Sequence, residues 1–200
     1  MGAFRQIKTP AKELEDRYCA WLRASSGGNP FAVVFGGLGF ARLDDLAKDS
    51  IKRKARRGEA MARFGSAEEI FNLTPAEVLC KRSLSGLKES KTWRKYDADA
   101  AARRFATVPD LVPHTLADCL HQQEYCDSLY WLRNEIDRDS SDPVLELGAH
   151  DDYCFAMLAK ITPRTKDEAL AVLAHIEQND AKDREETPAI LRNLITGGWA

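Results

Sequence analysis

The sequence predicts an all-α protein, a helical bundle, on three observations. Apolar residues recur at the three- and four-residue spacing of amphipathic helices along most of the chain. Several segments open with a serine or threonine that precedes a glutamate by three positions, a pattern that satisfies free backbone N–H groups at a helix start. The sequence contains no series of alternating strands, although residues 31–40 fit either a short strand or a buried helical turn.

Two helices are predicted near the N-terminus. Thr9 and Pro10 combine a cap residue with a proline at the first helical position, which is typical of a helix start. The Ser/Gly-rich stretch 25–30 ends this helix. The second helix begins near Arg42 and is predicted to end at Gly58, because glycine is common just after helix ends. The apolar faces comprise Leu14, Tyr18, Trp21 and Leu22 in the first helix, and Leu43, Leu46, Ala47 and Ile51 in the second.

Three shorter helices are predicted next, over residues 66–72, 74–81 and about 97–105. In the first two, a glutamate stands three residues after the opening Ser or Thr, which is the capping-box spacing. The segment 83–96 between the second and third helices is polar and lacks a clear period.

The C-terminal half predicts a bundle of antiparallel helices with short connections. These helices run from Thr115 to about Asp137, from Pro143 to about Lys160, and from Thr165 onward, and a short last helix opens at Thr187 and ends at glycines. The predicted inward residues of the first of these helices are Leu116, Cys119, Leu120, Cys126, Leu129, Leu132 and Ile136. The third helix carries Leu170, Leu173 and Ile176.

Charge is distributed unequally between the two halves. Residues 1–105 contain 21 Lys/Arg and 13 Asp/Glu, whereas residues 106–200 contain 8 and 18, although the whole chain has a formal net charge of −2. We therefore predict a basic helical region over 1–107 and an acidic helical bundle over 108–200, either as separate domains or around one shared core. Such an asymmetry points to a nucleic-acid or other acidic partner for the basic half.

The basic residues of the first half are the candidate nucleic-acid contacts. Lys and Arg bind phosphates by charge, and an aromatic ring among them can stack on an unpaired base. The alternative is structural, since basic residues in the last turn of a helix complement its dipole without a ligand. The candidates are Lys52, Arg53, Lys54, Arg56, Arg57, Arg63, Lys81, Arg82, Lys88, Lys91, Trp93, Arg94, Lys95, Arg103 and Arg104.

The segment from Phe64 to Lys88 resembles the helix-hairpin-helix modules of DNA-processing proteins. The likeness begins with Phe64-Gly65-Ser66 and extends through the Thr74 start to Ser85-Gly86-Leu87-Lys88. The resemblance implies contact with the phosphate backbone through hairpin N–H groups. Lys88 stands where the second hairpin of the family usually has a glycine.

A second resemblance covers residues 142–177. An Asp-Pro helix start, a further helix and then Ile161-Thr162-Pro163-Arg164-Thr165 opening an Ala/Leu-rich helix are similar to small uncharacterised helical proteins of alphaproteobacterial prophages and mobile elements. This resemblance implies a cytosolic regulatory or phage-associated role and assigns no activity.

Other kinds of site find less support. Gly37-Leu38-Gly39 begins a GxGxxG pattern, but Arg42 occupies the third glycine position and no parallel sheet is predicted. Cysteines and histidines on two predicted helices are spaced so that they could form a Cys₃His zinc site. The same cysteines also fit the apolar core of these helices without a metal. We predict no catalytic residue, no metal site and no cofactor. The zinc candidates are Cys119, His121, Cys126, His150 and Cys154.

The predicted setting is the cytoplasm. No apolar run approaches the length of a membrane helix, no signal-peptide pattern opens the chain, and the five cysteines contain no CxxC motif. The leading hypothesis is a non-enzymatic regulatory or accessory protein that contacts nucleic acid. The alternatives are a protein–protein adaptor or inhibitor that uses the acidic half, self-association through opposite charges, and an enzyme or metal-binding protein.

Overall fold

All regular structure in the described residues is helical, which confirms the predicted all-α fold. The computed structural model describes residues 10–25, 27, 43–89 and 95–197. Eight α-helices and three 3₁₀ turns lie in these ranges. The helices are α1 Ala11–Ser25, α2 Leu43–Phe64, α3 Pro75–Ser83, α4 Ala98–Phe105, α5 Leu116–Asn134, α6 Leu145–Met157, α7 Lys166–Gln178 and α8 Thr187–Thr196, and the 3₁₀ turns are Glu69–Phe71, Pro109–Leu111 and Ala181–Asp183.

The chain divides into two compact units, 1–56 and 57–200, and the division falls within α2. In the first unit, Tyr18 and Trp21 stack on α1 with ring centroids 5.7 Å apart, while Trp21 stays 59% exposed. Ile51, the last residue of the predicted apolar face of α2, is 70% exposed. The ambiguous segment 31–40 and the side chains of 43–47 lie outside the described part of the chain.

Gly58 does not end α2, which continues to Phe64. A glycine within a helix costs only about 1 kcal/mol relative to alanine. The turns that follow Gly58 pack into the core, since Ala60 is buried against Ile70 and Leu132. The prediction from the glycine alone was therefore wrong.

Helix α5 is the central element of the second unit. Leu116 and Cys119 at its start belong to a core cluster with α6, α7 and α8, and Cys126 and Leu129 belong to a second cluster with α3, α4 and α6. Near its end, Leu132 packs in the third cluster. The amphipathic pattern of the sequence identified these five inward residues correctly.

The second core cluster joins residues on both sides of position 107. Phe105 of α4 and Leu111 of the following turn pack with Cys126 and Leu147. Helices α3 and α4 both pack on α6. Within residues 57–200, the segment before 107 and the segment after it thus share one core.

The predicted helix starts at Thr74 and Thr165 are confirmed, whereas Thr9 lies outside the described residues. The Thr74 hydroxyl accepts from the Glu77 amide at 3.3 Å while the Glu77 carboxylate accepts from the Thr74 amide at 2.9 Å. Thr165 likewise accepts from the Glu168 amide, at 3.2 Å. Ser66 accepts from the Glu69 amide at 3.1 Å, but only a 3₁₀ turn follows rather than the predicted α-helix.

A buried ion pair links α3 to α5. Glu77 is fully buried and Arg133 is 3% exposed, and the two form a bidentate contact. Arg133 Nε also donates to the Ile70 carbonyl at 3.0 Å, and Glu77 accepts from the Val144 amide at 3.3 Å. Burial by itself would raise the pKa of Glu77, but the hydrogen bonds from Arg133 and Thr74 hold it below its ordinary value.

Helix α7 faces the core with Ala169, Val172 and Ile176, which are buried. Leu170 is 49% exposed. Leu170 lies on the exposed side of the helix because it follows Ala169 by one residue, or about 100° of rotation.

Candidate functional site

The candidate basic residues of α2 lie on both sides of the division between the two units. Lys52, Arg53 and Lys54 belong to the first unit and are exposed, as is Arg57 in the second unit. Arg56 is half-buried and has an interaction with another residue. The exposed members present their charge to solvent, and Arg56 is the least available of the group.

The candidates on α3 and α4 occur as pairs at helix ends. Lys81 and Arg82 lie in the last turn of α3, and Arg103 and Arg104 lie in the last turn of α4. The partial negative charge at a helix C-terminus favours cations there. Interaction with the helix dipole therefore accounts for the positions of these residues. This interaction involves only their charge, so their N–H donors remain free to form hydrogen bonds.

Ten candidate side chains share two properties: they are exposed, and they form no ion pair with any described residue. Arg63 differs, because it contacts Glu59 and the Ser128 hydroxyl, each at 3.4 Å. Lys91, Trp93 and Arg94 lie outside the described residues. The ten are Lys52, Arg53, Lys54, Arg57, Lys81, Arg82, Lys88, Lys95, Arg103 and Arg104.

Tyr96, an aromatic residue next to this basic segment, does not present a free ring. Its hydroxyl donates to Glu146 at 3.2 Å, and its ring packs against the cluster that contains Phe105. Burial and the Glu146 charge raise the pKa of Tyr96 to about 12. Tyr96 is thus part of the structure between α4 and α6 and is not arranged for stacking on a base.

The segment from Phe64 to Lys88 contains the end of α2, a 3₁₀ turn, α3 and a tight turn. Gly65 and Gly86 both have left-handed backbone angles, with φ of 82° and 79°. Glycine adopts such angles without the strain that a side chain would bring. Lys88 follows the second turn and is exposed.

The zinc candidates do not meet at one point. Cys119 and Cys126 lie in different core clusters, and His121 is exposed. His150 and Cys154 are one turn apart on α6, with Nε2 and Sγ separated by 3.6 Å. Across the part of the chain that the structure describes, no group of three or more His, Cys, Asp or Glu residues could hold a metal ion.

His150 is held as a neutral core residue. Its Nε2 donates to the Leu111 carbonyl at 2.8 Å, since a carbonyl can only accept. The other nitrogen, Nδ1, has no hydrogen-bond partner in the described structure, and the ring meets Phe105 edge-on at 5.0 Å. Burial lowers the pKa of His150, which keeps the ring uncharged.

The cysteines are free thiols, and four of the five are buried. Burial raises the pKa of Cys80 and of Cys119 to about 12 and also raises that of Cys126 and Cys154. A thiol in this state is a poor nucleophile, because the thiolate is the reactive form. Cys80, Cys119 and Cys154 therefore pack as small groups in the core, whereas Cys126 also accepts from Gln122 Nε2 at 3.1 Å.

A polar cleft of about 350 Å³ opens between α5, α6 and α7 and the turn that follows α7. At its wall, Gln123 Nε2 donates to both the backbone carbonyl and the Oδ1 atom of Asp151, each at 2.8 Å. We call this site the Asp151 cleft. It is lined by Gln123, Asp127, Asp151, Phe155, His175, Asn179, Asp180, Ala181 and Arg184.

The electrostatics of the Asp151 cleft are unusual for a surface depression. Burial raises the pKa of Asp151 to about 7, and the charge of Asp152 adds to this shift, whereas Arg184 opposes it. The Arg184 guanidinium lies 3.8 Å above the Phe155 ring and pairs with Asp152 at 2.8 Å. Burial lowers the pKa of His175. A carboxyl group with a pKa near neutrality in a cleft is a recognised mark of a functional site.

The candidate residues predicted from the sequence included neither Asp151 nor Gln123. A signal was present, because Gln123 lies four residues after Cys119 and three before Cys126 on the inward stripe of α5. A polar residue at such a position needs a buried partner. The partner itself, 28 residues away on α6, could not be identified from spacing.

The described helices include none that is both long enough and apolar enough to cross a membrane. Comparison of the chain with family models, with curated proteins and with solved structures finds no match in any of the three. The geometry of the described residues is therefore the basis for the functional conclusion.

Proposed function

We propose that the protein is a non-enzymatic helical accessory protein that contacts the phosphate backbone of nucleic acid through its exposed basic residues. The observation that supports this most directly is the set of ten exposed Lys and Arg side chains without an ion-pair partner among the described residues. Each carries N–H donors that can hydrogen-bond to phosphate oxygens and a positive charge that attracts the phosphate.

Other arginines of the same chain serve a different purpose. Arg133 is buried against Glu77, Arg164 pairs with Glu168, and Arg184 pairs with Asp152. These guanidinium groups are occupied by acids of the protein itself. The ten exposed candidates have no such acid partner among the described residues, a property that they share with exposed basic residues outside the set, such as Lys166 and Arg192.

The mechanism is charge neutralisation with little reading of base sequence. Lysines and arginines bind phosphate oxygens of both single-stranded and double-stranded nucleic acid. Each contact releases condensed counterions. The hydrogen bond of Tyr96 to Glu146 removes the one described aromatic ring of the basic segment from a stacking role. We therefore expect similar affinity for unrelated sequences of equal length.

Charge reversal tests the proposal. The variant Lys81→Glu/Arg82→Glu/Arg103→Glu/Arg104→Glu changes four exposed side chains at the ends of α3 and α4. We expect it to weaken binding to a labelled random-sequence duplex by at least about 100-fold at low salt, measured by fluorescence anisotropy. A second variant, Lys52→Glu/Arg53→Glu/Lys54→Glu, tests the exposed part of α2 in the same way.

A control variant separates local contact from net charge. Lys166→Glu/Arg192→Glu reverses two exposed basic residues on α7 and α8 that are not among the candidates. We expect this change to weaken binding far less than Lys81→Glu/Arg82→Glu, which reverses the same number of charges. Equal losses would mean that only the overall charge matters, and unchanged binding in every variant would refute the proposed interface.

A further inference from the structure

We propose that one face of α7 is an interface through which two copies of this chain associate, with the two α7 helices antiparallel about a two-fold axis. The inference is independent of the nucleic-acid proposal, because α7 carries none of the ten exposed basic candidates. It follows from which side chains of α7 remain open to solvent and from the order in which they occur.

Helix α7 has one line of side chains that the described chain leaves at least partly open. Lys166, Leu170 and Glu177 are exposed, whereas Leu173 is half-buried at the edge of the first core cluster. The four residues follow one another at intervals of four, three and four positions. Residues at these intervals lie along one side of a helix. We call this line of residues the α7 stripe.

The spacing of the α7 stripe is typical of helices that pair with another helix. Alternating intervals of three and four residues bring successive side chains to a shared interface between two helices. Leucines occupy both inner positions of the stripe, and the exposed Ala174 beside them leaves room for a second helix to approach. Pairing would therefore bury the exposed part of Leu170 and Leu173 from each copy, which is favourable in water.

The α7 stripe is complementary to itself when the second copy runs in the opposite direction. The midpoint between Leu170 and Leu173 and the midpoint between Lys166 and Glu177 both fall between positions 171 and 172. A two-fold axis at this point places Leu170 of one copy against Leu173 of the other, and Lys166 against Glu177. Each contact then occurs twice, as a two-fold interface requires. A parallel pair would instead place each charge against its like.

The two charges at the ends of the stripe are opposite to those that α7 by itself favours. The helix dipole favours acids at the start of a helix and bases at its end. Lys166, however, is the first residue of α7, and Glu177 is the last but one. Neither forms an ion pair with any described residue. An antiparallel second copy would give each of them an opposite charge.

Sedimentation velocity of the full chain at about 1 to 300 μM tests the proposal. A single helix of 13 residues makes a small interface, so we expect a weak dimer with a Kd of about 10–100 μM. A chain that stays monomeric up to about 300 μM would overturn the proposal. Nucleic-acid binding by Lys166→Glu/Arg192→Glu is compared with that of the other variants well below this Kd, where every chain is a monomer.

Leu170→Ser removes the apolar centre of the stripe. Because Leu170 is 49% exposed, we expect the variant to keep the circular dichroism spectrum of the wild type and to dimerise with a Kd at least about tenfold weaker. Leu73→Ser is the matched control, since Leu73 is 44% exposed and lies outside α7, and its Kd should equal that of the wild type. A dimer whose Kd is unchanged by Leu170→Ser uses another surface and would overturn the proposal.

Charge variants test the antiparallel arrangement. We expect Lys166→Glu and Glu177→Lys, each alone, to weaken dimerisation several-fold, because like charges then meet. Each substitution suits the dipole of α7, so a weaker dimer would not reflect a weaker helix. The double variant Lys166→Glu/Glu177→Lys, and an equimolar mixture of the two single variants, should dimerise about as tightly as the wild type, since every Glu again meets a Lys. Equal Kd values for the single variants and the wild type would overturn the proposed pairing.

Discussion

Arg133 of α5 and Glu77 of α3 face each other inside the protein in a two-point contact, with Nη1–Oε1 and Nη2–Oε2 distances of 2.7 and 2.9 Å. Around them, the carbonyl of Ile70 and the amides of Thr74 and Val144 complete the hydrogen bonding. The pair therefore connects the 3₁₀ turn after α2, the start of α3, the end of α5 and the segment that opens α6. Its loss should affect the whole second unit.

We expect Arg133→Met to lower the free energy of unfolding by about 3–5 kcal/mol, because Glu77 would remain buried without its partner. Urea denaturation followed by circular dichroism measures this loss. Arg164→Met is the control, since Arg164 is exposed where it pairs with Glu168, and its loss should be much smaller than that of Arg133→Met. Equal, small losses in both variants would contradict the structural role of the buried pair.

The double variant Glu77→Leu/Arg133→Met removes both charges. We expect it to be more stable than Arg133→Met alone, because no unpaired charge is left inside the protein. Equal or lower stability of the double variant would show that the hydrogen bonds of Glu77 to Thr74 and Val144 matter more than its charge.

Ionisation of Asp151 should lower the free energy of unfolding as pH rises from its ordinary pKa of 3.8 to its folded pKa of about 7. Its folded pKa, about 7, is raised above the ordinary value of 3.8, so the folded state holds this proton more tightly than the unfolded state. The resulting stability is present at low pH and is lost as pH rises toward 7. Relative to the wild type, Asp151→Asn should therefore gain about 2–3 kcal/mol between pH 5 and pH 8.

Urea denaturation of the two proteins at several pH values provides this measurement. His150 and His175, whose pKa values are lowered, change the stability of both proteins in the same way and cancel in the difference. A difference that stays constant from pH 5 to pH 8 would mean that Asp151 is not desolvated.

Two glycines should respond oppositely to substitution by alanine. A Cβ at Gly197 would lie 2.5 Å from Pro163 Cγ and 2.7 Å from Pro163 Cδ, so Gly197→Ala should cost about 1–3 kcal/mol. A Cβ at Gly148, within α6, meets no atom within 4 Å, so Gly148→Ala should stabilise by about 0.5–1 kcal/mol. Thermal unfolding measures both, and a stabilising Gly197→Ala would show that α8 does not end against Pro163.

The thiols should react in two classes with an aromatic disulfide reagent such as DTNB. Cys19 is half-buried, whereas the other four cysteines are buried and have raised pKa values. We expect one thiol to react quickly in the native protein and four to react only on unfolding. Fast reaction of two or more thiols in native conditions would place one of the buried cysteines at the surface.

Local features of the fold were predictable from the sequence, and long-range polar contacts were not. The caps at Thr74 and Thr165 involve residues three positions apart, so spacing identifies them. Gly58 was misread because its local preference for a helix end is outweighed by packing of Ala60. The inward faces of α5 follow directly from its apolar period.

The candidate site residues also divide into those that the sequence could predict and those that it could not. Exposed basic residues need no partner, so their positions on helix ends could be inferred from the sequence. The Gln123–Asp151 and Arg133–Glu77 contacts join residues 28 and 56 positions apart, and no pattern in one sequence specifies such pairs. A polar residue on an apolar stripe, as at Gln123 and Arg133, indicates only that some buried partner exists.

The salt dependence of binding to a labelled random-sequence duplex tests the proposed nucleic-acid contact most directly. Fluorescence anisotropy from about 50 to 300 mM salt gives the slope of log K against log salt, which is about −0.9 for each phosphate neutralised. We predict tight binding at low salt and a slope steeper than about −4, reduced in Lys81→Glu/Arg82→Glu/Arg103→Glu/Arg104→Glu. Absence of binding at the lowest salt, or binding with a slope near zero, would contradict the proposed phosphate contact.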